Sequence, residues 1–364
     1  MAAQGWSRIG ERVRTARTGT RRTQDEVADA LDVDRSSVVR IEAGQRKVSA
    51  LELAAMAELF DVPLSYFLSP QADAVVSRRS AVADDLDEAA RAAWRLDVDL
   101  EDHASSIRWL IGRGLIDAPE IRLTAATPTD VPAAEALARE ARTRLGIDGP
   151  LPALADVCEH FGLYLLVVDR DVDGASMLLD EVDGLGAAVI GGRADAGRRR
   201  ATAVHELGHH LFGDAYSSDV GISVGVRERV IDAFAREFLL PAVALRREWP
   251  TDPDRHWPAL VRLAGTYRVS WRLAVHRVLD LGLIDDTEMR SLEARTPVLG
   301  DFLGHLGTAP VEDLAVGTTG AAWKRTVLAA YRRSLITGVR ALELLHGAAD
   351  GLADLPTRCE DDAL

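Results

Sequence analysis

The segment His205-Glu206-Leu207-Gly208-His209 constrains this chain more than any other. Two imidazoles stand four residues apart, with a carboxylate directly after the first. On a helix, residues at that spacing project from one face, so His205 and His209 can grip a single metal ion. Glu206 lies roughly a quarter of a turn round from His205, within reach of a water on that ion. This is the H-E-x-x-H spacing of zinc-dependent hydrolases. The bare pattern fixes few positions, but its flanks add to it. Val204, Leu207, Gly208 and Leu211 form an apolar stripe at helical spacing, which predicts a helix anchored in a core. Arg198, Arg199 and Arg200 precede it and read as a solvated run, with attraction of an acidic substrate as the lesser alternative.

A catalytic zinc site takes three protein ligands and leaves a fourth position for water. The third is sought downstream, in the segment from Val226 to Pro241. There Ile231, Phe234, Ala235 and Phe238 give a buried helical face, while Glu228 and Asp232 lie four apart on an adjacent one. The economical assignment makes His205, His209 and Glu228 the metal ligands and Glu206 the catalytic base. Asp232 then accepts a hydrogen bond from the free ring nitrogen of a bound histidine. Zn2+ is the expected ion, with Mn2+ as a substitute. His210 and Glu237 are the weaker alternative ligands. Tyr216, His256 and Tyr267 are candidate oxyanion donors that the sequence does not rank. Cys158 shares an apolar stripe with Leu154, Val157 and Phe161 and reads as a core thiol rather than a blocking ligand.

The first 70 residues read as a separate unit. Thr23-Gln24-Asp25-Glu26 and Ser49-Ala50-Leu51-Glu52 are capping boxes. Asp32-Val33 makes a tight turn, and Asp34 caps the next helix, which stops at Gly44. Short helices joined this way suggest a helix-turn-helix. The residues Thr23 to Ala28, Val33 to Gly44 and Leu59-Phe60-Asp61-Val62-Pro63 closely resemble the XRE/Cro-type DNA-binding domain. The resemblance places the recognition helix from Asp34, with Arg35, Ser36 and Arg40 toward base edges and Ser37 in the same contact set. It sets Gln24, Arg46 and Lys47 near phosphates. Double-stranded DNA is the implied partner.

Charge qualifies that reading. Residues 1–70 hold ten Lys+Arg and ten Asp+Glu, so the whole net charge of −14 falls after residue 70. A general polyanion binder is excluded, whereas local patches still serve, such as the six arginines between Arg8 and Arg22 opposed only by Glu11. Two cysteines, Cys158 and Cys359, make no disulfide framework. No leader is read at Met1 and no apolar run reaches membrane-spanning length, so the expected setting is cytoplasmic and nucleoid-associated, with no membrane partner.

Strands are expected at Leu163 to Val168, Ala175 to Leu179 and Leu185 to Ile190, the last of them as an edge strand beside the metal site that pairs with an extended substrate. The connector is read as two helices, Ala81 to Leu96 and Asp102 to Leu115. Helices are also expected at Val131 to Leu145, Pro152 to Phe161, Trp257 to Leu281 and Ala321 to Leu345.

The segment from Val131 to Leu283 resembles the ImmA/IrrE metallopeptidase family. The carrying residues are Arg200 to His209, Glu228, Asp232-Ala233-Phe234-Ala235 and Leu239-Leu240-Pro241. The chain departs from the family in having Ile231-Asp232 where Ala-Asn is usual. The resemblance implies an α+β chain, mostly α. A helix-turn-helix bundle spans 1–70 and a helical connector 71–130. A zincin-like peptidase domain with a small mixed β-sheet follows at 131–285, then a helical C-terminal region at 286–364 without an assigned role. The implied activity is a DNA-binding, zinc-dependent endopeptidase that cuts a partner helix-turn-helix repressor and so controls stress- or phage-related genes. The alternative is a transcriptional regulator whose peptidase-like domain is a sensor or homodimerisation platform without turnover. A zinc hydrolase of small molecules is the weakest reading.

Overall fold

Capping chemistry sets the N-terminal helices. The computed structural model describes residues 2–68, 77–79, 86–121, 123, 127–213 and 222–358. Within it α1 spans Ala2–Gly19, α2 Gln24–Leu31, α3 Arg35–Glu42, α4 Ala50–Phe60 and α5 Ser65–Leu68. Both expected capping boxes form, Thr23 with Glu26 and Ser49 with Glu52. Asp32 closes α2 in the left-handed region at φ 53°, and Asp34 accepts the Ser37 N–H to open α3. These turns fold Val13, Val27, Val38, Ile41, Met56, Phe60 and Phe67 onto one another as a small core.

That core rests on α6, Leu86–Ile111, whose Val98 joins it. The two helices expected here are one. The charges of the acidic stretch around Asp99 and Glu101 are matched from outside the helix. Arg12 Nη1 donates to Glu101 at 2.7 Å, and Arg170 Nε donates to Asp99 at 2.8 Å. The stripe Leu96, Leu100, Ala104, Ile107 and Leu110 then runs unbroken into a second core.

The rest of the chain wraps a four-stranded sheet. β1 is Ser77–Arg79, β2 Leu163–Val168, β3 Gly174–Leu179 and β4 Leu185–Gly191, in the order β1-β3-β4-β2. β2 and β4 are parallel, and β3 is antiparallel to both β4 and β1. β4 is therefore internal and offers no edge, contrary to expectation. The connector, in which only helices were expected, supplies the edge strand β1 instead.

Alternation along the strands feeds two cores. Leu163, Leu165, Val167, Ala188 and Ile190 face α7 (Val131–Leu145), α8 (Leu154–His160), α9 (Ala196–Phe212) and α10 (Ile222–Leu239). The same side continues through α11 (Ala242–Glu248), α12 (His256–Tyr267), α13 (Trp271–Asp280), α14 (Asp286–Ala294) and α15 (Leu299–Leu306). Tyr164, Leu166, Ala175, Met177, Ala187 and Val189 face α6, α16 (Ala321–Arg332) and α17 (Gly338–Leu345). The helical stretch expected from Ala321 to Leu345 holds both α16 and α17. With α6, they form the layer opposite the metal helix. Among the described residues no helix is long and apolar enough to cross a membrane.

This layer buries histidine. His103 on α6 packs on Trp323, ring centroids 5.1 Å apart, and its Nε2 donates to the Tyr164 carbonyl. Burial, and then the nearby His346, push its pKa from 6.5 down to about 3. The unfolded chain binds the proton first, so the stability from a neutral His103 is complete above about pH 6.5 and is lost as pH falls toward 3. Urea unfolding between pH 7 and 4 should lose up to about 1.4 kcal/mol per pH unit through this group. His103→Gln should flatten that slope; an unchanged slope would assign it to other groups.

Candidate metal centre

α9 begins at Asp195, which caps the Arg198 N–H, and ends at Gly213 in the left-handed region at φ 62°. Of the three arginines at its start Arg198 is exposed, as expected of a solvated run, whereas Arg199 and Arg200 are buried. Arg198 pairs with Asp173 at 2.7 Å. Arg199 donates to the carbonyls of Gly192, Ala194 and Asp313. Arg200, 1% exposed, forms a buried ion pair with Asp313. They weld the helix start to the sheet and the C-terminal region.

One turn further on, α9 is buried nearly all round, with His205 1%, Glu206 0% and His209 5% exposed. Gly208 makes this possible. A Cβ there would meet Ile231 Cγ2 at 2.9 Å and Phe234 Cδ1 at 3.3 Å, so only glycine lets α10 approach so closely. The bulk of Ile231 is taken up in that helix contact, where it is fully buried.

The close approach brings Glu228 to both histidines. Its Oε2 lies 3.1 Å from His205 Nε2, and its Oε1 3.6 Å from His209 Nε2. The two Nε2 atoms are 3.2 Å apart. His205 Nδ1 donates to Asp232 Oδ1 at 3.0 Å, the arrangement that frees Nε2 for a metal once its own proton is lost. Burial opposes charge on Glu228, but the hydrogen bond to His205 and the field of both histidines outweigh it and hold the carboxyl below its usual value.

These donors fit a divalent cation. Atoms about 2.0–2.1 Å from a tetrahedral zinc stand about 3.3 Å apart, close to the separations seen here. His205, His209 and Glu228 each offer one ligand atom, and these lie within 4.8 Å of one another. A second sign is Glu206 itself. Its Oε2 accepts a hydrogen bond from Ser176 Oγ at 2.6 Å, while its buried Oε1 has no hydrogen-bond partner among the described residues. Such an oxygen calls for a water or a substrate proton.

Ser176 was missed from the sequence. It sits on β3, on the face toward α9, buried to 2% exposure. An inward hydroxyl in a strand with Met177, Leu178 and Leu179 carries no signal except its polarity.

The lesser candidates fall away. His210 Nε2 donates to the Phe161 carbonyl at 2.9 Å and lies within the fold. Glu237 is in a buried ion pair with Arg277 and accepts from the Ala242 N–H. Both ring nitrogens of His256 are engaged, by Glu288 and the Pro250 carbonyl. Tyr267 is buried in the core cluster. Cys158 is fully buried there, and burial pushes its thiol pKa up. Tyr216 and Cys359 lie outside the described residues.

In the N-terminal module, Arg35, Ser36 and Arg40 are exposed on α3, and Lys47 is exposed beyond it. Ser37 is a correction: it is 7% exposed, and its hydroxyl accepts from Arg40 at 3.1 Å, because it lies on the packed side of α3. Gln24 is tied to Glu42 at 2.9 Å and Arg46 to Glu52 at 2.7 Å, so both brace the module.

Two family models match parts of the chain. Residues 13–67 match the helix-turn-helix family model, and residues 188–279 match that of the IrrE N-terminal-like domain, a peptidase family. The second match contains all of α9 and α10 but begins after β3, and so leaves Ser176 outside it. No curated protein matches the chain. The two matches support a DNA-binding regulator with a peptidase-family domain.

Proposed function

We propose that this chain is a DNA-binding zinc endopeptidase that cuts a partner helix-turn-helix repressor and so controls stress- or phage-related genes. The observation that carries the reading is the convergence of His205, His209 and Glu228 beside Glu206, whose Oε1 has no partner among the described residues. His205, His209 and Glu228 would hold Zn2+, which when bound supplies Lewis acidity to a water and to a peptide carbonyl. Glu206 Oε1 takes the water proton as the oxygen attacks the carbonyl carbon. The same carboxyl returns it to the departing nitrogen as the C–N bond breaks. Ser176 fixes Oε2, so the free oxygen keeps one orientation. Asp232 fixes the ring of His205 by accepting from Nδ1.

Removing that carboxylate should loosen the metal without removing a ligand. Asp232→Ala is expected to weaken zinc affinity about 10–100-fold, read by competition with a chromophoric chelator. Unchanged affinity would deny Asp232 this role.

On DNA, Arg35 and Arg40 would read bases and Lys47 would bind phosphate. Arg35→Ala should cost about 1–3 kcal/mol of operator affinity with little change on random duplex. Equal losses on both would make Arg35 a phosphate contact. Zinc-dependent cleavage of the partner repressor, tested with purified proteins and operator DNA, decides the whole proposal.

A further inference from the structure

β1 does more than extend the sheet. It lies antiparallel on β3, with Ser77 opposite Ser176, Arg78 opposite Ala175 and Arg79 opposite Gly174. Ser176 is the residue whose hydroxyl holds Glu206, so the backbone of β1 runs alongside the proposed base. β1 also touches α9. Without β1, β3 is the outermost strand on this side of the sheet. A bare strand edge offers a row of N–H and C=O groups that pair with any extended chain. The edge on which a peptide can lie beside Glu206 is therefore the edge that the chain's own connector fills.

We propose that residues 77–79 are a tethered occupant of the peptide-docking edge of β3, which an incoming extended polypeptide must displace. This rests on reading the site as a peptidase. The proportions suit exchange. β3 has six residues, Gly174–Leu179, and β1 covers three of them. A partner strand pairing along the whole edge replaces the three residue pairs that β1 makes and adds more. Tethering raises the local concentration of β1 and so excludes short or weakly pairing peptides. The connector thereby selects for substrates that present a long extended segment.

The test uses the full chain, zinc-loaded, with Glu206→Gln to prevent turnover. The probe is a fluorescent synthetic peptide with the sequence of residues 73–84. The triple substitution Ser77→Pro, Arg78→Pro, Arg79→Pro removes every backbone donor of β1. It should bind the probe at least about tenfold more tightly than the unsubstituted strand, as expected when an intramolecular competitor is lost. Equal affinity overturns the proposal. A second measurement needs no change in β1: saturating probe should speed hydrogen exchange at the amides of 77–79 while those of 174–176 stay protected. Unchanged exchange at 77–79 under saturation also overturns it. Neither readout needs turnover, so an inactive protein that shows the exchange sinks the peptidase reading alone. An active one that lacks it sinks only this proposal.

Discussion

Glu206→Gln is expected to lower the cleavage rate by about 10²–10⁴-fold with zinc content unchanged. Glutamine keeps the shape of the side chain and can still accept from Ser176 Oγ, the 2.6 Å contact that orients it. What it loses is the proton-accepting oxygen at Oε1, the atom without a partner among the described residues. Glu206 is not among the clustered ligands, so the metal should remain. Steady-state rates on a cleavable substrate, with zinc measured in the same samples, separate the possibilities. A loss below about tenfold would remove Glu206 from the chemistry. A parallel loss of zinc would make it a ligand.

Asp313→Ala is expected to destabilise the chain by about 3–5 kcal/mol, since it leaves a buried guanidinium without its counter-charge. Arg200 and Asp313 have side chains 1% and 9% exposed. Burial, and then the nearby Arg268, lower the Arg200 pKa to about 10, so the site already strains to hold the charge. Asp313 also accepts the Leu154 N–H at 3.2 Å, which ties α8 to the same point. Arg200→Met with Asp313→Leu removes both charges and should recover most of the loss. Urea unfolding of the three forms reads the effect. A loss below about 1 kcal/mol for Asp313→Ala would show that water takes over as the partner of Arg200.

This pair shows how far the sequence reaches. Local signals were legible: the capping boxes at Thr23 and Ser49, the turn at Asp32, the stripe of α9 and the Glu228–Asp232 spacing on α10. Each is written within a few residues of itself. What stayed hidden depends on partners far along the chain. Arg200 finds Asp313, so part of a run read as solvated is internal, and the acidic patch of α6 finds Arg12 and Arg170. Ser176 reaches Glu206 only because β3 and α9 pack face to face. β1 is three residues in a connector of helical composition and exists by pairing, not by propensity. Ser37 was misplaced for a simpler reason: in a two-turn helix one step round decides between solvent and core.

The most direct measurement incubates the zinc-loaded protein with a candidate partner helix-turn-helix repressor and sequences the new termini. One discrete cut, lost with a chelator and restored by zinc, is the expected result. An intact repressor, with metal bound at His205, His209 and Glu228 and operator DNA occupied, would contradict the endopeptidase and leave a metal-binding transcriptional regulator.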